Sequence, residues 1–530
     1  MQLLWFRRDL RLLDNECVAA AIAREDQVIP FFVIDPWFYQ NTNLTAIRVR
    51  FLFESLLDLD DNLRARGSRL YLFEGQSFAV IKQLTHFFAK HNQNPRLLCN
   101  RDVQVQYGID RDRLIKTFYQ DQNLELFLGT NHYIQQPKLN WETWLKDHKA
   151  YLKQNPFSQP EHIQTPKLTR VNSGLPIIDF RILVDKYQRF WQSSHVDFLG
   201  GESFAHETLK SFLTRRFRGY HWKLSQPWLA QRGCTSHLSP HLSFGTISTR
   251  VVYQAVQEQR QRFKNNDDKG NSKADFSLKS FGDRLRWHDS FTQRLYYQPD
   301  IAYRNYYPEY DDWYSPEPLT DQKVELFAAW QAGKTGFPLI DASMRQLKTM
   351  GWMNFRMRAM CVTFLTINCG ISWHYGAEHF MNFLVDGDIA INNWQWQMQS
   401  GIANPMSKSF RIYNPSKNVV ERDPKLKFIN HWIPELRGYS LPELEQKKYL
   451  GKSSYPPEIL DWKETRKTNG KVISELRAIV RQRLTAEQGE EFESAQRVKA
   501  VIERYMKYQE EAYRRSHFQQ LELDFESSEQ

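Results

Sequence analysis

Short apolar runs of strand length alternate with helical periodicities over the first 135 residues. The runs are QLLWF from Gln2, QVIPFFVID from Gln27, RLYLFEG from Arg69, RLLCN from Arg96 and LELFLG from Leu124. They are rich in β-branched and aromatic residues, and amphipathic stretches such as Thr45 to Arg66 lie between them, a pattern that predicts a parallel sheet with crossover helices. From about Pro137 to Gly200 the pattern weakens. Tyr151 to Pro176 is rich in Pro, Gln, Ser and Thr, which suits a surface connection. Beyond Gly200 strand signals vanish and helical periodicity takes over. A helix TRVVYQAVQEQRQRF follows Ser248, and the polar run Lys264 to Lys273 reads as a mobile loop. The expected organisation is an α/β domain over 1–135, a linker over 136–200, an all-α domain over 201–505 and a short acidic tail over 506–530. The chain carries no internal repeat.

Composition narrows the function classes. The 530 residues include 71 Lys and Arg against 61 Asp and Glu, a net charge of +10 that calls for an anionic partner or a basic face. The 16 Trp, 24 Tyr and 35 Phe make up 14% of the chain, enough to suggest stacking chemistry beyond core filling. Five cysteines stand scattered with no Cys-x-x-Cys pair, which argues against a disulfide scaffold or a structural zinc. No apolar run is long enough for a leader or a membrane span, so a soluble, cytoplasmic protein is expected.

Four polar and aromatic segments are candidates for chemistry. DGDIAINNWQWQMQSG, Asp386 to Gly401, combines Asp386, Asp388, Asn392 and Asn393 with Trp394 and Trp396. It reads either as the floor of a large polar cofactor or as a capped turn entering a buried aromatic helix. In GCTSHLSPHLSFGTIS, Thr235, Ser236 and Ser239 could donate to a diphosphate or cap a helix. His237 and His241 are four apart but separated by Pro240 and followed by no acidic ligand, so metal is not expected. RLRWHDSFTQRLYYQPD places Arg284, Trp287, His288 and Phe291 on one helical face. The stretch Ala329 to Leu365 reads as two helices joined near Gly351, with Trp352, Phe355 and Ala359 aligned on the second. No G-x-G-x-x-G or G-x-x-x-x-G-K motif occurs, and Arg7, Arg8, Asp9 and Arg11 read as a structural ion-pair set.

WFRRDLRLLDN, TSHLSPHLSFGTIS, AWQAGKTGFPLIDASMRQL, GWMNFRMR, DGDIAINN, WQW and SFRIYNP resemble the photolyase and cryptochrome family, in the same order and nearly end to end. The resemblance implies an α/β domain followed by a helical domain holding FAD. Tyr220, Thr235, Ser236, Leu238 and Ser239 would hold the flavin diphosphate and Trp352 would pack near the flavin. Arg358 would pair with Asp386 beside Gly387, Asp388 would meet the ribose and adenine side, and Asn392 would face flavin N5. Trp396 and Trp373 match the inner and middle members of an electron-carrying tryptophan row. The outer position falls on Thr320, with Trp313 a nearby substitute.

The lesion positions depart from the family. Where photolyases for cyclobutane dimers carry a glutamate, an asparagine and a methionine, this chain has Arg284, Phe355 and Ala359. The histidines that (6-4) photolyases use at the last two positions are absent too. An arginine donates hydrogen bonds but does not give up its proton. Arg356 and Arg411 match positions facing the DNA backbone, and Trp287 stands with them. Gln106 and Tyr107 occupy the place of the folate-binding residues, so folate is not supported and the antenna is left open. The implied activity is blue-light-driven repair of a pyrimidine lesion in DNA. The alternative is a cryptochrome-like photoreceptor that signals to a protein partner.

Overall fold

The structure is a computed structural model, and it describes residues 1–40, 45–101, 103, 106–169, 173–186, 198–264, 269–407, 410–486, 498 and 500–507. Two compact units emerge. The first comprises Met1–Ala302, Arg345–Arg356 and His379–Asn392; the second comprises Tyr303–Met344, Met357–Glu378 and Asn393–Gln530.

All five expected strands form: β1 Gln2–Trp5, β2 Val28–Ile34, β3 Tyr71–Glu74, β4 Arg96–Arg101 and β5 Leu126–Thr130. A sixth, β6 Ile177–Ile178, completes a sheet of order β5-β4-β1-β2-β3-β6, in which only β6 runs antiparallel. Helices such as Ala46–Arg64 and Ser77–Lys90 flank it. Because side chains alternate across a strand, Leu3 and Trp5 enter one buried cluster while Leu4 and Phe6 enter the other. Two-sided burial explains why β1 to β4 read as continuous apolar runs, whereas β5, at the sheet edge, is only part-buried.

The stretch expected as a linker contains more structure than its composition suggests. Helix Trp141–Leu152 is capped by Asn140 and buries Trp144, His148 and Leu152, a one-residue-wide stripe that polar neighbours mask. Trp144 Nε1 and the Gln135 amide both donate to Gln293 Oε1, at 3.0 and 2.9 Å. The predicted loop Lys264 to Lys273 is partly corrected. Residues 265–268 lie outside the described residues, and from Lys269 the chain is already in a long helix, Lys269–Tyr297. The tail is outside the described residues beyond 507.

The Arg7–Arg11 segment is the ion-pair set expected at the end of β1. Asp9 accepts from the Arg7 amide and from Asn100 Nδ2, both at 2.6 Å, and Arg7 pairs with Asp112 at 2.7 Å. Arg11 donates to Asn131 Oδ1 and to the Gly245 carbonyl. Gly245 has φ +68° and its missing Cβ would stand 1.9 Å from the Arg8 carbonyl, so only glycine lets this turn close against the strand end.

In the second unit, helix Trp462–Thr485 packs on the turn Phe364–Asn368, where Asn469 Nδ2 donates to the Ile367 carbonyl at 2.7 Å. From the same helix buried Arg477 donates to the carbonyls of Gly401, Ala403, Asn404 and Ser407, which fixes that connection without a carboxylate. No helix among the described residues is long and apolar enough to cross a membrane.

Candidate flavin site and tryptophan row

The Thr235–Ser239 loop is built from two backbone features and one arginine. Gly233 and His237 adopt left-handed φ values of +81° and +57°, and between them the chain turns sharply into the helix Ser239–Phe244. Arg216 donates to the carbonyls of Thr208, Gly233, Thr235 and Ser236, which turns the loop's carbonyls toward it. Thr235 Oγ1 is buried and has no hydrogen-bond partner among the described residues. A hydroxyl so placed costs stability unless something fills the space beside it. Tyr220 and Leu238 are buried nearby in sequence, Ser236 is half-buried and Ser239 exposed. His237 packs its ring 5.2 Å from Trp352, and burial pushes it down to about 4; His241 is pushed down to about 3. Both imidazoles are therefore neutral at physiological pH. His237 bonds to the Ala230 carbonyl through Nε2 and His241 to the Thr246 hydroxyl through Nδ1.

Trp352 lies in the turn before helix Phe355–Thr363 rather than on that helix as the spacing suggested. The turn is set by Gly351 at φ +62°, and Trp352 is 5% exposed against Phe198 and His237.

The stretch from Asp386 forms a capped turn entering a buried aromatic helix, one of the two readings its residues allowed. Asp388 caps helix Ile389–Gln399, one carboxylate oxygen accepting from the amides of Ala390 and Ile391 at 2.9 and 3.1 Å. Its other oxygen pairs with Arg8 at 2.8 Å. Burial raises the Asp388 pKa, but the charges of Arg8 and His288 outweigh it, and the group stays below the ordinary carboxylate value. Arg48 holds the preceding backbone, donating to the carbonyls of Met381 and Gly387, both at 2.8 Å. Ser243 donates to the same Gly387 carbonyl. Neither Arg8 nor Arg48 was marked for this stretch by the sequence, because each lies more than three hundred positions away. Asn392 and Asn393 are buried at 8% and 7%. Asp386 precedes the cap, and Arg358 lies on helix Phe355–Thr363.

On helix Lys269–Tyr297 the Arg284 guanidinium lies 4.7 Å over the Trp287 ring and 5.5 Å over the Phe355 ring. Two aromatic faces hold the cation by its quadrupole attraction. Trp287 lies tilted against Phe291, with ring centroids 6.4 Å apart, and is 36% exposed. Burial drives the Tyr220 pKa up to about 12 against the opposing charge of Arg284. Ala359 is buried, Arg356 is half-buried and Arg411 exposed.

Trp396 and Trp373 are fully buried, at 1% and 0%. The Trp396 indole sits against Gly376, whose added Cβ would come within 2.1 Å of it. Gly376→Ala should therefore displace Trp396, read as a shifted indole emission with folding retained. The Trp396 ring also meets Trp330 edge-on at 6.2 Å, a contact the motifs did not point to. Trp330 donates its Nε1 to the Cys361 carbonyl and stacks on Phe327. Trp394 packs edge-on against Tyr306. Thr320 stands at the N-terminal cap position of helix Asp321–Ala332, makes no side-chain cap hydrogen bond and offers no ring. Trp313 is half-buried between Tyr314 and Tyr505, at 6.3 and 4.6 Å.

His132, His288 and Asp289 bring ligand-type atoms within 4.8 Å of one another. The carboxylate there is already engaged: Asp289 takes His148 at 2.7 Å on one oxygen and His288 at 2.9 Å on the other. Burial raises the Asp289 pKa, but the two histidines outweigh it and hold it well below 3.8; burial lowers His288, but Asp289 outweighs it and holds it above 6.5. A depressed carboxylate stabilises above its unfolded pKa and a raised histidine below its own. The network therefore contributes most between about pH 4 and 6.5 and less on either side. Urea titrations of Asp289→Asn across pH 3 to 8 should show that maximum flattened.

The family model described as DNA photolyase matches residues 2–160, and that described as the FAD binding domain of DNA photolyase matches residues 281–475. A deoxyribodipyrimidine photo-lyase of Synechococcus sp. is 29% identical over 499 residues, which cover 90% of this chain and 97% of that protein. The archaeal photolyase of Sulfolobus tokodaii, solved with two FAD molecules, superposes with a TM-score of 0.69 at 28% identity, covering 89% of this chain and 99% of that one. The cryptochrome of Synechocystis sp. superposes at 0.74 with 25% identity, covering 89% and 98%. With the α/β sheet at one end of the sequence, the FAD-binding domain at the other and relatives aligned across nearly all of both, the chain belongs to the photolyase/cryptochrome family.

Proposed function

We propose that this protein is a photolyase-type flavoprotein, which uses blue light to transfer an electron to a pyrimidine lesion in DNA. The observation that carries the reading is the Thr235 hydroxyl, buried and without a partner among the described residues, in the loop the family uses for the flavin diphosphate. Bound FAD supplies light absorption and one-electron transfer. Thr235 and Ser236 donate to its diphosphate, with Tyr220, Leu238 and Ser239 around them, and Trp352 packs beside it. Asp388 would meet its ribose and adenine side, Arg358 would pair with Asp386 beside Gly387, and Asn392 would present a neutral amide to N5. Trp396 gives up an electron and is refilled by Trp373, with Trp313 in place of the missing outer indole. Arg356 and Arg411 neutralise phosphates, and Trp287 offers a half-exposed ring to a base.

Replacing the Thr235 hydroxyl by a methyl group in Thr235→Val removes one hydrogen bond to the cofactor. FAD affinity should fall about tenfold, equivalent to ~1.4 kcal/mol, while the flavin-free protein becomes no less stable. Fluorescence titration of FAD and urea unfolding check the two halves.

The lesion positions support a second reading. Arg284, held by Trp287 and Phe355, puts a permanent cation where a proton-sharing carboxylate stands in dimer photolyases. A cryptochrome-like photoreceptor needs the tryptophan row but no lesion carboxylate. Illuminating the reduced protein with DNA carrying cyclobutane dimers or (6-4) photoproducts, and counting lesions, separates the two. Repair of either lesion supports the first reading. Repair of neither, with ready photoreduction, establishes the second.

A further inference from the structure

We infer that the groove between helix Trp462–Thr485 and the segment Phe410–Ile412 is a second phosphate-tracking site, which takes the backbone of a DNA strand flanking the lesion. The groove has a cavity volume of about 1010 Å³ and is open to solvent. Five of its lining residues are cations: Arg411, Lys463, Arg466, Lys467 and Lys471. Phe410, Ile412, Gly470 and Ser474 complete the wall.

The charges follow from helical spacing. Positions 463, 466, 467, 470, 471 and 474 recur at intervals of three and four, so they form one face of the helix. From Lys463 to Lys471 that face covers about 12 Å of helix axis, the length over which one strand presents about three or four phosphates. The opposite face is apolar, with Val472, Ile473, Leu476, Ile479 and Val480 buried in the unit. Gly470 lets the helix approach Ile412, where a Cβ would stand 2.9 Å from the isoleucine tip.

These cations are available. Lys463, Arg466 and Lys467 have no carboxylate partner among the described residues, and Lys471 has only Glu475, 3.9 Å away on its own helix. Arg466 lies 5.4 Å over the Trp462 ring, which presents its guanidinium without neutralising it. Four side chains of one sign on one exposed face repel each other, an arrangement that an anionic polymer relieves. An open groove with a linear row of charges suits a strand that enters and leaves, whereas a small anion is better served by a closed pocket with converging donors. The inference rests on the DNA reading of the proposed function and adds to it the four helix positions, which the motifs quoted for the resemblance do not include.

The test is equilibrium binding of wild type and Lys467→Gln/Lys471→Gln to a short lesion-bearing oligonucleotide and to one with long flanks, across a salt series. The longer DNA should bind wild type more tightly. The double variant should lose that increment, with the slope of log affinity against log salt reduced by about one per lysine removed. Binding of the short oligonucleotide and flavin content should stay unchanged. Equal affinity and slope for wild type and variant on the long DNA would overturn the groove while leaving DNA binding intact. Failure of wild type to bind either DNA would instead overturn the DNA reading. Because the two lysines are exposed, the fold should survive; Lys463→Gln/Arg466→Gln provides an independent pair if it does not.

Discussion

Trp396→Phe should leave the protein folded and loaded with FAD but slow flavin photoreduction by about tenfold or more, since a phenyl ring is far harder to oxidise than an indole. The side chain is 1% exposed and wedged against Gly376 and Trp330, so the smaller ring leaves a gap. That gap costs roughly 1–3 kcal/mol of stability, which is survivable. The measurement is the rate of light-induced bleaching with an external thiol as electron source. Trp330→Phe is the informative companion: the edge-on contact makes Trp330 a neighbour able to refill Trp396, a role proposed above for Trp373. If Trp330→Phe and Trp373→Phe each slow bleaching in part, the hole leaves Trp396 by both indoles. Unchanged photoreduction in Trp396→Phe would assign the donor elsewhere.

Asp388→Ala should destabilise the flavin-free protein by about 2–4 kcal/mol, because it strips the part-exposed Arg8 of its buried carboxylate partner and removes a helix cap together. The effect has a defined pH dependence. The folded pKa of Asp388 is held below the ordinary 3.8, so its contribution is complete above that value and disappears as pH falls through the folded pKa. Wild type and Asp388→Ala should converge in stability toward acid pH. Urea unfolding without flavin reads this directly, and a loss under about 1 kcal/mol at neutral pH would show the pair to be dispensable. The same substitution should weaken FAD retention, and comparison with Arg8→Ala separates scaffold from contact.

Much of this was legible in the residues. Buried parallel strands announce themselves as uninterrupted apolar runs, and five of six were placed on that basis. The sixth, Ile177–Ile178, is too short for any periodicity. Helix Trp141–Leu152 was hidden because its buried stripe is one residue wide and its aromatic members look like surface rings. Trp352 looked helical because Trp352, Phe355 and Ala359 have helical spacing, yet Gly351 breaks the chain there. What motifs could not convey was long-range electrostatics. Arg8 and Arg48 fix Asp388 and Gly387 from the opposite end of the sequence. Arg216 braces the Thr235 loop through the carbonyls of Gly233, Thr235 and Ser236, which leave no trace in side-chain patterns. Of the two readings for Asp386 to Gly401, the capped aromatic helix is the one the structure shows, with Asp388 capping through one oxygen and pairing with Arg8 through the other.

The central claim is that the Thr235 loop and the Asp386–Asn392 stretch hold a flavin that accepts electrons from this chain's own indoles under light. The most direct measurement is the visible spectrum of the purified protein, supplemented with FAD, before and during blue illumination. The account predicts a bound flavin spectrum that bleaches under light in wild type, bleaches slowly in Trp396→Phe, and is weakened in binding by Thr235→Val. A protein that takes up no flavin, or whose bound flavin is indifferent to light in the presence of reductant, would contradict it.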